Sequence, residues 1–207
     1  MTIRAILEWI LEVGGVSVLD STIFNTSTAA RIGIAAGRNS KMYVLDLDNL
    51  GGYRTGMNGT DSVLQTIRLR GGAFGGIGSY PLEGGYLYVN PENASLEAYR
   101  LRPSLPRPSH SDSLFEVAGT SPVLNSRSGG VGIPTVTSLN GEPGSGMVWV
   151  TDVERGLLAY KAVPVNGTLI EITLPKVEGA MKYGRPVFGN GKVYIVDGKD
   201  RLIALGR

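Results

Sequence analysis

The chain has 207 residues, and its 20 basic and 18 acidic side chains leave a net charge of +2. This balance argues against a dedicated nucleic-acid surface, which needs clustered lysine and arginine, and the absence of cysteine excludes disulfides and cysteine-ligated metals. Thirty glycines and only 18% charged residues are typical of short apolar strands joined by tight turns. The composition therefore favours an all-β chain.

Residues 1–15 form the first predicted segment. Its aliphatic residues recur at helical spacing, at Ile3, Ile6, Leu7, Ile10 and Leu11. This pattern predicts a short amphipathic helix. Glu8 and Glu12 interrupt the segment, which therefore does not match the apolar centre of a signal peptide. No run of about 18 apolar residues occurs, so no transmembrane helix is predicted.

Residues 16–207 contain a pattern that occurs four times. In each copy an apolar strand carries one anchor residue, and a second anchor follows ten residues later. The anchor pairs are Ile34 and Val44, Tyr88 and Ala98, Trp149 and Ala159, and Tyr194 and Ala204. The copies recur after 54, 61 and 45 residues. Repeating four-stranded units of about 40–50 residues are the pattern of β-propeller blades. We therefore predict an all-β propeller of about four antiparallel blades in an incomplete ring, whose open blade edges allow self-association.

The individual strands can be placed from the same repeat. The last three copies predict inner strands at Gly78–Leu82, Ile133–Ser138 and Gly184–Phe188, which contain Pro81, Pro134 and Pro186. Outer strands are predicted at Val63–Leu69, Leu114–Val117 and Thr168–Leu174. The segment Arg102–Ser113, rich in proline and serine, is predicted to be a solvated loop. Tyr88, Trp149 and Tyr194 recur at one repeat position, which indicates that they fill the space between blades.

The segment GRPVFGNGKVYIVDGKDRLIALG, residues 184–206, resembles the repeat of quinoprotein alcohol-dehydrogenase-like β-propellers. Residues 71–89 and 39–53 resemble segments of extracellular fungal members of that group. The resemblance implies a propeller that, in its enzymatic members, holds the quinone PQQ and calcium. This chain lacks the adjacent cysteine pair of such enzymes, and none of its acids matches their calcium ligands or catalytic carboxylate.

The glycine-rich segment from Gly71 to Tyr80 is the candidate cofactor site. In related enzymes a Gly-Gly stretch followed by an aromatic residue stacks on the quinone, and the resemblance assigns that role to Phe74, Gly75 and Tyr80. The alternative is that these glycines allow inner strands to pack closely around a narrow channel. No catalytic residue can be assigned from the sequence.

Three other sets of residues are candidates for a site. The run Asp46–Gly51 begins like a calcium loop, but it carries Leu50 at the fifth position and Met57 at the twelfth, so a turn is predicted instead. Asp152, Asp197 and Asp200 are likewise predicted to cap turns. His110 is the only histidine and lies in the Pro/Ser loop, which is too mobile for a catalytic triad. No metal site is predicted.

Four glycosylation sequons occur, at Asn25, Asn58, Asn93 and Asn166. Together with the resemblance, these sequons predict an extracellular or secretory location. The alternative is that they occur by chance in a chain rich in serine and threonine. Three functional hypotheses remain. The first is a secreted propeller that acts as a binding or scaffold module for a small molecule, a glycan or a protein, without a cofactor. The second is a PQQ- and calcium-dependent dehydrogenase of alcohols or sugars, present here as a fragment. The third is a truncated gene product without independent activity.

Overall fold

The computed structural model describes residues 13–20, of which only the backbone is considered, and residues 31–48, 50, 63–102, 113–126 and 131–206. Over these residues the secondary structure consists of β-strands, without any helix. None of the described segments forms an apolar helix of the length that a bilayer requires. The predicted N-terminal helix lies largely outside the described residues, but Val13, Gly14 and Gly15 belong to a strand.

The strands form four separate antiparallel sheets, which we call blades 1 to 4. Blade 1 contains β1 (Val13–Asp20), β2 (Arg31–Gly37), β3 (Lys41–Asp46) and β4 (Gln65–Arg68). Blade 2 contains β5 (Gly78–Tyr80), β6 (Tyr86–Val89), β7 (Ser95–Leu101) and β8 (Phe115–Leu124). Blade 3 contains β9 (Thr135–Thr137), β10 (Met147–Asp152), β11 (Gly156–Lys161) and β12 (Glu171–Ile172). Blade 4 contains β13 (Val187–Gly189), β14 (Lys192–Val196) and β15 (Leu202–Gly206).

Within each blade the strands lie in chain order, and each strand pairs antiparallel with the next. Some of the connections are tight turns, such as the one from β13 to β14. It consists of Asn190 and Gly191 alone, with φ angles of 50° and 69°. Two consecutive left-handed residues make the tight hairpin turn that matches the twist of the strands, and the Asn-Gly pair adopts it at low cost.

The predicted anchor pairs are direct cross-strand neighbours in all four blades. Their registers are Ile34 with Val44, Tyr88 with Ala98, Trp149 with Ala159, and Tyr194 with Ala204. Side chains that face each other across an antiparallel pair point to the same side of the sheet. The ten-residue spacing thus places a large or aliphatic residue beside a smaller partner on one face of each blade.

The core lies between the blades rather than within them. A first apolar cluster joins blades 1 and 2, and it contains Ile34, Val44, Leu87 and Phe115, each at most 1% exposed. A second cluster joins blades 2 and 3 around Tyr88, which is fully buried and donates its hydroxyl hydrogen to the carbonyl of Ala162 at 2.7 Å. Burying each such side chain stabilises the fold by about 1.5–3 kcal/mol.

The third cluster, between blades 3 and 4, is less complete. Its buried members are Leu157, Val177, Val193 and Ile195, and the larger residues around them are only partly buried. Among these is Trp149, which meets the ring of Phe188 edge to face with centroids 5.3 Å apart. The interface between the last two blades is therefore the most open of the three.

The predicted strands needed three corrections. Pro81, Pro134 and Pro186 do not lie inside the inner strands but directly beside them, because β5 ends at Tyr80, β9 begins at Thr135 and β13 begins at Val187. At those places the missing N–H costs no ladder hydrogen bond. The outer strand β8 extends to Leu124, well beyond the predicted Val117, and β12 is shorter than predicted, with only Glu171 and Ile172.

Candidate functional site

The predicted cofactor residues lie on the connection from blade 1 to blade 2 and on β5. Phe74 lies beneath the guanidinium of Arg38, whose central carbon is 4.7 Å from the centre of the ring. Gly75 faces the next inner segment closely, because a Cβ placed there would lie 2.8 Å from a side-chain carbon of Ile133. Phe74 and Gly75 are therefore adjacent in the chain, but each packs against a different partner.

Tyr80 lies at the other end of β5 and is 3% exposed. Its hydroxyl donates to Oε2 of Glu83 at 2.7 Å, and burial together with this carboxylate raises its pKa to about 12. Its ring contacts blade 3, where a Cβ at Gly146 would lie 2.7 Å from it. Tyr80 thus packs against blade 3 and Glu83, while Phe74 contacts Arg38 and Gly75 faces Ile133. That these three residues hold a quinone stays a prediction.

The aspartates of the turns act as caps. Oδ1 of Asp152 accepts hydrogen bonds from the backbone N–H groups of Glu154 and Arg155, both at 2.9 Å. Oδ1 of Asp197 accepts from the N–H groups of Lys199 and Arg201 in the same way. Within the described ranges, no three His, Cys, Asp or Glu side chains converge as a metal site would require.

The turn at Asp46 begins the run that partly resembles a calcium loop in the sequence. Oδ1 of Asp46 accepts from the N–H of Asp48 at 2.9 Å, and the carboxylate of Asp48 pairs with Arg31 at 2.7 Å. Both observations fit the predicted turn after a strand. His110 and most of the Pro/Ser loop lie outside the described residues.

Two of the four sequon asparagines can be located. Asn93 and Asn166 are exposed at turns and have φ angles of 55° and 49°. Asparagine is favoured at such left-handed positions, as at Asn140 and Asn190, which carry no sequon. Asn25 and Asn58 lie outside the described residues.

A buried carboxylate lies between blades 1 and 2. Glu97 on β7 is 2% exposed, accepts a hydrogen bond from the hydroxyl of Tyr99 at 2.6 Å and lies 3.6 Å from Nε of Arg70. Burial raises the pKa of Glu97, although the bonds from Tyr99 and Arg70 partly offset this effect. Burial and the neighbouring Glu97 raise the pKa of Tyr99 as well.

A groove of about 450 Å³ lies between blades 3 and 4, and we call it the Trp149 groove. Trp149 on β10 forms one wall, and Phe188 on β13 and Leu205 on β15 form the other. Leu174 and Pro175, on the connection between the two blades, also line the groove. Its volume lies in the range that small-molecule sites occupy.

The walls of the Trp149 groove are apolar, and one cation stands at its rim. The indole N–H of Trp149 donates to Oγ1 of Thr137 at 2.8 Å, so it offers no free donor to a ligand. Lys192 lines the groove and is exposed. An aromatic or aliphatic group would therefore bind by contact with the two rings, and an attached anionic group would be attracted by Lys192.

The groove exists because blade 4 leaves part of blade 3 uncovered, whereas the interfaces between blades 1 and 2 and between blades 2 and 3 are more completely filled. Leu205 occupies the repeat position of Tyr99 and Tyr160, each of which is 1% exposed. In blade 4 the smaller leucine is only partly buried. The repeat predicts that Trp149 lies between blades but does not indicate a groove, whose other walls come from the connection at Leu174 and from Phe188. The substitution of Leu205 for tyrosine in the repeat was the available signal.

Comparisons with known proteins bear on the fold. No protein-family model matches the chain, and no curated protein matches it. Among solved structures, it is similar to the computationally designed Ika4 protein, with a TM-score of 0.51, 8% identity, and coverage of 94% of this chain and 90% of that one.

It is also similar to the β-propeller domain of Cps50 (Swd1) from Myceliophteria thermophila, with a TM-score of 0.57 and 10% identity. That match covers all of this chain but only 58% of the other. Identities this low carry information about the fold alone, and the quinoprotein resemblance stays a prediction. With its four antiparallel sheets in chain order and this structural neighbour, the chain has an all-β fold of the β-propeller type.

Proposed function

We propose that this chain is a binding propeller whose Trp149 groove takes an aromatic or aliphatic group that carries a negative charge. The propeller-like fold fits a binding or scaffold module. The observation that supports the finer proposal is the groove itself, with two aromatic rings on its walls and Lys192 at its rim. The group is a small molecule or a side chain of a partner.

The test uses the fluorescence of Trp149 as a local reporter. The chain contains two tryptophans, so Trp9→Phe leaves Trp149 as the only one. The probe is anilinonaphthalene sulfonate, an aromatic anion that binds exposed apolar surface. We expect saturable quenching of Trp149 with energy transfer to the bound dye.

Two variants and one control make the result specific. Leu174→Asp places a negative charge at the groove, and Lys192→Gln removes the cation at the rim. We expect each to weaken dye binding, Leu174→Asp by about 10-fold or more, which corresponds to about 1.4 kcal/mol. Leu139→Asp changes an equally apolar residue that is 60% exposed after β9 and does not line the groove, so it should leave binding unchanged. Dye binding that ignores Leu174→Asp would contradict the proposal.

We also propose that the module acts in the secretory pathway or outside the cell. Two exposed sequons at turns, Asn93 and Asn166, support this location. Expression in a secreting eukaryotic host, followed by glycosidase treatment, should reduce the mass of the protein. Asn93→Asp and Asn166→Asp remove the sequons and keep a residue that tolerates a positive φ. A mass that the glycosidase leaves unchanged would argue against glycosylation at these sites.

A further inference from the structure

Five exposed cations lie along the chain segment 68–76, and together we call them the basic strip. They are Arg38, Lys41, Arg68, Arg70 and Arg185. Two of them lie at the turn between β2 and β3, which runs beside the segment. The N–H of Leu69 donates to the carbonyl of Ser40 at 2.9 Å, and the N–H of Ala73 donates to that of Gly37 at 3.0 Å. These bonds fix the turn and the segment against one another.

The cations form a row rather than one compact cluster. Arg68 lies at one end of the segment. Farther along, the guanidinium of Arg38 lies over the ring of Phe74. Arg185, which precedes blade 4, reaches the segment at Gly76, where a Cβ would lie 3.7 Å from its Nη2. The eight steps along the chain from Arg68 to Gly76 span at most about 28 Å.

Lys41 and Arg68 bring like charges together at the first end of the row. They are direct cross-strand neighbours on β3 and β4, so their side chains lie on the same side of the sheet. Like charges at opposed positions destabilise an antiparallel pair. Neither cation forms an ion pair with a carboxylate of the described residues. The fold therefore does not need both residues to be basic, and an anionic ligand would explain the pair.

The basic strip is only slightly neutralised by the chain itself. Among the residues that the structure describes, Arg70 alone of the five has a carboxylate partner, the buried Glu97 at 3.6 Å. The side chain of Arg70 nevertheless stays 68% exposed. Beside the strip lies the half-buried Glu92, whose N–H donates to the carbonyl of Gly72 at 2.9 Å. Four cations without a carboxylate partner make a surface that attracts anions.

The shape of the row favours a linear polyanion, because a single small anion would leave most of the cations unused. Guanidinium groups bind oxyanions strongly through parallel hydrogen bonds. Single-stranded nucleic acids bind by stacking their bases on aromatic rings, but one face of Phe74 is covered by Arg38. A chain whose anionic groups project from a backbone without bases fits the row better.

We propose that the basic strip binds a sulfated polysaccharide. The choice of this polyanion rests on the proposed extracellular location, where sulfated polysaccharides are encountered. The sulfate groups of one chain would pair with Lys41 and Arg68 at one end of the strip and with Arg185 at the other. None of the residues that line the Trp149 groove belongs to the strip, so the two sites are separate.

The test measures the affinity of the whole protein for a fluorescent heparin dodecasaccharide by fluorescence anisotropy. We expect saturable binding that weakens as salt is added, because binding releases counterions. Lys41→Gln combined with Arg68→Gln should raise the dissociation constant by about 10-fold or more and make its dependence on salt less steep. Since this change removes a like-charge pair, the thermal midpoint of the protein should not fall. Arg185→Gln should also weaken binding, because it removes the other end of the row.

A matched control separates the strip from net charge. Lys161→Gln combined with Lys176→Gln removes the same charge from two exposed sites outside the strip. We expect this variant to bind heparin as the parent protein does. An equal loss in the control and in the Lys41 and Arg68 variant would overturn the proposal, and so would the absence of heparin binding near physiological salt.

Two competing polyanions test the choice of ligand. Single-stranded DNA or polyglutamate that binds more tightly than heparin would overturn the assignment to a polysaccharide. The glycosidase assay measures the location independently. Heparin binding by a protein whose mass the glycosidase leaves unchanged would support the strip and argue against the location. A glycosylated protein that does not bind heparin would overturn the proposal for the strip alone.

Discussion

The hydroxyl of Thr151 in blade 3 donates a hydrogen bond of 2.9 Å to the carbonyl of Gly184, just before blade 4. The side-chain amide of Asn90 in blade 2 donates in the same way to the carbonyl of Gly132, at 3.0 Å. Thr151 and Asn90 each follow the anchor residue of their blade by two positions, and each glycine precedes the next inner strand by three. One polar contact between consecutive blades is thus repeated along the chain.

We expect Thr151→Val to weaken this contact without changing the shape of the residue. The carbonyl of Gly184 also accepts from the N–H of Ile133 at 3.1 Å, so it does not lose its last donor. The free energy of unfolding should therefore fall by only about 0.5–1.5 kcal/mol. Urea denaturation measures this difference, and Thr173→Val, at an exposed site on the β12–β13 connection, is the control. A loss far above this range would mean that Thr151 has another role.

Glu97 should make the stability depend on pH in an unusual direction. Burial raises its pKa above the ordinary 4.5, so the folded state binds the proton more tightly than the unfolded chain. The contribution of Glu97 to the free energy of unfolding is therefore greatest below pH 4.5, and it is lost as the pH rises through the raised pKa. Denaturation between pH 4 and 8 should show this loss in the parent protein and not in Glu97→Gln. Parallel pH curves for the two would contradict the assignment.

Asp197 should act in the opposite direction and at lower pH. The hydrogen bond from Arg201 holds its pKa at about 2, below the ordinary 3.8. Its contribution is present above pH 3.8 and is lost as the pH falls towards 2. Asp197→Asn should remove this loss of stability at acid pH. It should leave the dependence of the free energy of unfolding on pH unchanged above pH 4.5. Because the two effects occupy separate pH ranges, one set of denaturation curves tests both carboxylates.

The resemblance to quinoproteins gives a direct test of the dehydrogenase hypothesis. Arg38 covers one face of Phe74 and Ile133 approaches Gly75, so we expect PQQ with calcium to leave the thermal midpoint of the protein unchanged. A saturable increase that needs both components, and that Phe74→Leu reduces, would contradict this expectation. It would show that the connection between blades 1 and 2 rearranges to admit a quinone.

The repeat and its register could be predicted from the sequence because they depend on local spacing. An antiparallel hairpin with a short turn brings residues ten apart into direct opposition, and the same spacing recurs at Tyr88 with Ala98 and at Tyr194 with Ala204. The inner-strand prolines were misplaced by only one residue. Strand positions near a turn are therefore accessible to pattern analysis.

The outer strands were harder to predict because long-range partners determine their length. The strand β8 continues because Ser121 accepts the N–H of Leu96 and because Asn125 bonds to Ala94 across the sheet. The strand β12 is short because Thr168 turns back on Val165. The walls of the Trp149 groove come from three distant segments, and no local pattern indicates that Leu174 and Phe188 face one another.

The uneven closure between blades has a consequence for local unfolding. Proteins built from stacked units open at the interface that buries least, and the energy of each opening can differ widely within one molecule. Here the interfaces around Ile34 and around Tyr88 are closed, while the one at Trp149 is only partly filled. The amides of β13 to β15 should therefore exchange with solvent well before those of β6 and β7. Blade 4 would act as a separate cooperative unit that detaches while the rest of the fold stays intact.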